Sequence, residues 1–154
     1  MIVKKLKEFL DKHGIEYLTI SHSKAFTAQK IAATAHIPGK EVAKTVMVKI
    51  DGKMAMAVLP ASYRVDFELL KDALGAKKVE LAAEKEFKDI FPNCEVGAMP
   101  PFGNLWDLGV FVAQSLSENE EIVFNGGSHT ELIRMSFNDF KRLVNPVVVK
   151  YSFK

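Results

Sequence analysis

Three short stretches of this 154-residue chain set polar groups beside glycines or apolar runs, where a side chain or a backbone amide can do chemistry. Lys44-Thr45 heads the apolar run Val46-Met47-Val48. An ammonium there is costly unless it faces a polar pocket; a strand-edge lysine that discourages edge-to-edge pairing is the structural alternative. Gly97-Ala98-Met99-Pro100-Pro101-Phe102-Gly103 reads as a stiffened loop, with prolines fixing φ and glycines allowing close backbone approach. Its N–H groups could meet a ligand oxygen, or the loop could be a rigid connection. Asn125-Gly126-Gly127-Ser128-His129-Thr130 lies between two strand-like runs and fits either a bulged turn or a ligand-facing loop. Cys94, the one cysteine, would be a nucleophile only with a histidine and positive surroundings, and otherwise an inert thiol.

Other engines are missing from the pattern. No phosphate-binding GxxxxGK[ST], dinucleotide GxGxxG, HExxH or GxSxG is present, and His13, His22, His36 and His129 lack metal-ligand spacing. No metal and no cofactor is therefore expected. Hydrophobic residues at 48% and charged ones at 26% predict one globular domain over residues 1–154, and a lone cysteine excludes an intrachain disulfide. The longest apolar run, Met54 to Leu59, is far too short to span a bilayer, and the charged start lacks a following apolar stretch. A cytoplasmic protein without membrane contact, monomeric by default, is the expectation. The net charge of +2 hides blocks of +5 over residues 1–53, −7 over 54–131 and +4 over 132–154. Positive ends folded onto one face would suit a polyanion; a solvated lysine-rich surface accounts for them as well.

The elements that must position these groups can be read from periodicity and punctuation. Met1 to His13 predicts an amphipathic helix with Ile2, Leu6, Phe9 and Leu10 on one face, ended at Gly14. Ile15 to His22 predicts a strand, and Thr27 caps an Ala-rich helix with Ala28, Ile31, Ala32 and Ala35 on one side. Val42 to Ile50 and Lys53 to Leu59 flank Asp51-Gly52, a strong hairpin signal. Asp66 caps a helix to Leu74; a strand follows at 79–81, and a helix over 84–91 stops before Pro92. Strands are expected at 110–113, 121–125 and 131–135, then a Ser136-capped helix over 137–144 and a β-rich tail. The fold class is α+β (mixed α/β): one mixed, mostly antiparallel curved sheet surrounded by helices.

Taken together in this order, Lys44-Thr45, Gly97-x-x-x-Pro101 and Gly127-Ser128-His129-Thr130-Glu131 resemble the YbaK/ProX family. The stretch from His22 to Ala33 and Arg134-Met135 are similar to it too, so the resemblance runs from about Ile15 to Pro146. That family shares its fold with the editing insertion domain of bacterial prolyl-tRNA synthetases. The resemblance implies an aminoacyl-tRNA deacylase that needs no metal and hydrolyses mischarged tRNA in trans. Its partner would be the acylated 3′ end of tRNA, with a synthetase as a second partner left open. The family's lysine falls on Lys44, expected to bind the phosphate or carbonyl side of the terminal aminoacyl-adenosine. Its loop glycine falls on Gly97, whose N–H would orient the ester carbonyl or the water, and its histidine on His129, which would shape the amino-acid pocket. His22, Thr27, Thr45, Met99, Pro101, Phe102, Gly127 and Ser128 complete the expected substrate-binding set. One departure stands out: where many relatives carry Asp, this chain has Ala113 followed by Gln114.

Two other classes fit the same residues. A non-catalytic module that holds a tRNA end or nucleotide is suggested by the positive ends and by Ala113. A thiol hydrolase would use Cys94. Phe102 and Trp106 could wall a pocket or stack on adenine, or could anchor the core, and the Lys4, Lys5 and Lys7 cluster could be a solvated helix face or touch tRNA.

Overall fold

In a computed structural model of the chain, residues 3–23, 30, 33 and 36–154 are described; the expected Thr27-capped helix lies outside them. α1 (Lys4–Lys12) buries Leu6 and Leu10, four residues apart on one face, while its lysines point to solvent. β1 (Tyr17–Ser21) follows. β2 (Ala43–Ile50) and β3 (Lys53–Pro60) form the expected hairpin, with Asp51 at φ 50° and Gly52 at φ 83°, the pair of positive angles that a two-residue turn demands. After β4 (Arg64–Val65), Asp66 caps α2 (Phe67–Leu74) by accepting from Leu69 N–H at 2.9 Å. β5 (Val79–Leu81) and the short α3 (Glu84–Phe87) come next, and α3 passes into a 3-10 turn at Lys88–Ile90 rather than continuing to Phe91. Another 3-10 turn, Gly103–Trp106, leads into β6 (Gly109–Ala113) and α4 (Gln114–Ser117). β7 (Glu121–Asn125), β8 (Glu131–Ser136), α5 (Phe137–Val144), β9 (Val147–Val149) and β10 (Ser152–Phe153) complete the order.

The strands divide into a five-stranded sheet β5-β2-β3-β6-β9, a three-stranded sheet β1-β8-β7 and the pair β10-β4, where one sheet was expected. Most pairings are antiparallel; β3-β6 and β6-β9 are parallel. Alternation explains the layering. Met47, Met56, Val58 and Val112 on one face of the large sheet meet Ile122, Phe124, Ile133 and Met135 of the small one, with α1 and α5 closing this main core. Val48, Ala57, Leu59 and Ala113 on the opposite face pack with Leu70 of α2 and Tyr151. The Tyr151 hydroxyl is fully buried and donates to Val58 O at 2.9 Å and Phe111 O at 2.8 Å, tying β3 to β6. A parallel bridge, Val42 to Val123, joins the large sheet to the small one. Among the described residues, no helix is long and apolar enough to cross a membrane.

Candidate functional site

The bridge at Val42 and Val123 decides where Lys44 sits. Both segments run the same way through it, so Lys44 and Asn125, each two residues further on, fall by alternation on the sides of their strands that carry Val42 and Val123. Across the small sheet, Asn125 pairs with Leu132 and Leu132 with Ile20, which places all three side chains on that same face. His22 extends the row of β1 by donating its N–H to Thr130 O at 2.8 Å. Thr45 faces the other way, with Ala43 and Met47 toward the main core, so the strand separates Lys44 from its neighbour in sequence.

Backbone bonds lock the two loops together beside this face. Glu95 N–H donates to Gly127 O (2.8 Å), Gly127 N–H to Ala98 O (3.0 Å) and Val3 N–H to Gly126 O (2.8 Å). Gly127 sits at φ 112°, and a Cβ there would stand 3.0 Å from Val3 Cβ. His129 is clamped twice: its N–H donates to Glu95 Oε1 at 3.2 Å and its ring bonds through Nε2 to Val96 O at 2.8 Å. A carbonyl can only accept, so Nε2 carries the proton and Nδ1 of the neutral ring is an acceptor. Gly97, at φ 86°, lies directly against this ring, because a Cβ would meet His129 Cε1 at 3.4 Å. Its N–H donates to Met99 Sδ at 3.3 Å, a weak acceptor that an ester oxygen would outcompete. Asn125 Nδ2 donates to Ser128 O at 3.2 Å, and the Ser128 and Thr130 hydroxyls lie 3.1 Å apart.

The electrostatics single out Lys44. Burial pushes its ammonium below the ordinary lysine value, and the Arg64 charge pushes the same way. Among the described residues no carboxylate lies within ion-pair distance of it. Nearby, Arg134 reaches Glu41 at 3.4 Å and Glu121 at 3.1 Å, pinning the segment before β2 against the small sheet. His22 donates from Nδ1 to Ser23 O at 2.9 Å, which leaves Nε2 buried without a hydrogen-bond partner among the described residues. Cys94 is half-buried, and desolvation pushes its thiol up to about 11, which makes it a poor nucleophile. No group of three or more metal-ligating side chains is found among the described residues.

The structure thus brings Gly97, Gly127, Ser128 and His129 into one interlocked pair of loops, with Lys44 and His22 on the adjoining sheet face. Thr27 lies outside the described residues. Met99 and Pro101 are buried, and Phe102 is fully so, packed on Phe9, Phe124 and Phe140. Phe102 therefore anchors the loop from inside the core instead of walling a cavity. Sequence reasoning passed over Glu95, Val96 and the Arg134–Glu41 pair. Asn125 before Gly126-Gly127 carried a signal, since an amide at that place commonly ties a loop to itself; Glu95 and Glu41 carried none.

The family model described as an aminoacyl-tRNA editing domain matches residues 22–143. The Multifunctional Ser/Thr-tRNA deacylase ProXp-y of Escherichia coli O157:H7 is 25% identical over 156 residues, covering 96% of this chain and 91% of that protein. A Proline--tRNA ligase of Bacillus mycoides (strain KBAB4) is 27% identical over 89 residues, 58% of this chain but only 16% of the ligase. The crystal structure of a candidate trans-editing enzyme for prolyl tRNA synthetase superposes with a TM-score of 0.83 at 15% identity, covering 98% of this chain and 96% of that one. That likeness shows the fold, while the family match spans Lys44, both loops and His129; the chain belongs to the aminoacyl-tRNA editing domain family.

Proposed function

We propose that the protein is an aminoacyl-tRNA deacylase, hydrolysing the ester of mischarged tRNA in trans. The observation that carries this reading is the partly buried Lys44 ammonium without a carboxylate partner among the described residues, on the strand that the Val42–Val123 bridge ties to β7, which leads into the loop that holds His129 against Gly97. A cation kept from neutralisation suits a phosphate or a developing oxyanion. The ester is already activated, so a strong base is not needed. Water adds to the ester carbonyl carbon, the bond to the ribose oxygen breaks, and the vicinal hydroxyl passes the water's proton to that oxygen. Amino acid and free tRNA result. In this reading Lys44 binds the phosphate or carbonyl side of the terminal adenosine, and Gly97 N–H turns from Met99 Sδ to the ester carbonyl. Each preorganised donor of this kind is worth a factor of about 10²–10³. The acceptor atoms His129 Nδ1 and His22 Nε2 suit the substrate's ammonium or hydroxyl groups.

A panel of mischarged tRNAs, beginning with seryl and threonyl esters, tests the reading. Hydrolysis of at least one is expected, and none at all contradicts it. A binding-only module is the second reading, favoured by Ala113. That residue is fully buried one step beyond the Val58–Val112 pair, in a cross-strand row with Leu59 and Lys44, and offers no carboxylate there. Salt-dependent tRNA binding without turnover would establish it.

A further inference from the structure

Beside the interlocked loops lies a cavity of about 400 Å³ whose lining includes Val3, Lys5, Asp89, Asn93, Cys94 and Trp106. Its wall is shared with the site: Val3 N–H holds Gly126 O, and Cys94 immediately precedes the Glu95 that clamps His129. The three lysines at the start of α1 are not alike. Lys4 pairs with Glu8 and Lys7 with Asp11, whereas Lys5 has no carboxylate at ion-pair distance among the described residues and lies over the Trp106 ring, 5.5 Å from its centroid. The half-buried indole is held edge-on by Phe91 at 4.8 Å. A fixed aromatic face, an unneutralised ammonium beside it and amide and carboxylate groups at the rim are the parts that receive an unpaired nucleotide. The base stacks, the phosphate meets the cation, and rim acceptors take an exocyclic amine. The volume suits one nucleotide and lies within the range of small-ligand pockets.

We infer that this cavity binds one unpaired RNA nucleotide, base on Trp106 and phosphate on Lys5, next to the terminal adenosine that enters the site. The inference rests on the deacylase reading for the identity of the RNA, and on the cavity alone for the nucleotide. As the base slides over the indole, the Lys5 ammonium leaves the ring for the phosphate.

Trp106 is the one tryptophan in the chain, so its fluorescence reports the pocket directly. Titration with the unacylated ribo-oligonucleotide ACCA is expected to quench it saturably, with a log–log salt slope of only about −0.7 to −1.5 because one or two phosphates are neutralised. Lys5→Gln should weaken binding by about three- to tenfold, while Lys4→Gln, which removes the same charge one residue away, should change it less than about twofold. CMP should quench far more weakly than the oligonucleotide, and equal quenching would overturn RNA as the source. Absent quenching, or equal losses in Lys4→Gln and Lys5→Gln, would overturn the pocket. Because the probe is unacylated RNA, an enzyme that hydrolyses esters without quenching sinks this inference alone. Quenching without hydrolysis sinks only the deacylase reading.

Discussion

Near the end of β2, Lys49 faces Glu80 across the β2–β5 ladder and reaches Glu80 at 3.4 Å and Glu86 at 2.6 Å; near its start, Lys44 has only Leu59 opposite it and the Arg64 charge in its surroundings. Hydrogen bonds donated to Glu86 and Glu80 raise the affinity of Lys49 for its proton, whereas burial lowers that of Lys44. One strand therefore carries a lysine bound into ion pairs and another without a carboxylate partner among the described residues, the one proposed to meet the ligand. The same division extends to the loops at each end. Beyond Lys49, the Asp51 carboxylate accepts from Lys77 N–H (2.9 Å) and Lys78 N–H (2.8 Å) and fixes the hairpin turn; beside Lys44, glycines and carbonyls fix a histidine.

Substitutions at the two ends should separate accordingly. Gly97→Ala strains a positive φ in the loop against His129 and so shifts the Gly97 N–H, so turnover should fall about a hundredfold while stability drops by only about 1 kcal/mol. Asp51→Ala removes the acceptor of two backbone N–H groups and places Ala at positive φ. Urea unfolding should show a loss of about 1–2 kcal/mol with turnover of the folded protein unchanged. Lys49→Gln should lower stability slightly, and salt should shrink the difference. The pH window follows from the directions of the shifts. Lys49 holds its proton more tightly when folded, so its contribution is present at neutral pH and lost as pH rises through the raised folded value. Glu80 and Glu86 are held low, Glu80 first by Lys78 and Glu86 first by Lys49, so theirs disappears as acidification passes their lowered values. Lys44 runs the other way: its depressed folded value disfavours the charged fold at neutral pH, a small penalty relieved on alkaline titration. By ¹³Cε NMR, Lys44 should deprotonate before Lys7, Lys49 and Lys71, all of which are raised.

Much of this was legible in the chain where a local rule decides. Asp51-Gly52 demanded its turn, Asp66 and Gly75 bounded α2, and Ser136 capped α5 by accepting from Asp139 N–H at 3.3 Å. α4 and β4 are too short to show a period and exist through tertiary packing, and the division into separate sheets, joined only by the Val42–Val123 bridge among the described residues, is set by strand pairings that no local pattern announces. Lys44 was found as a residue, but its contrast with Lys49 was invisible, because the acids that claim Lys49 arrive more than thirty residues later. From its place in a Pro-Gly loop, Phe102 could be read either as a pocket wall or as a core anchor. Its ring is claimed by α1 and α5 through Phe9 and Phe140, which no spacing within the loop reveals.

The contrast between the two lysines is tested most directly by single-turnover hydrolysis of a mischarged tRNA by wild type, Lys44→Ala and Lys49→Gln, with unfolding midpoints measured alongside. Lys44→Ala should lose about 10²–10³ in rate with its midpoint unchanged, while Lys49→Gln keeps the wild-type rate with a slightly lower midpoint. A Lys44→Ala protein that hydrolyses the ester as fast as wild type would contradict the assignment of Lys44 to the ligand.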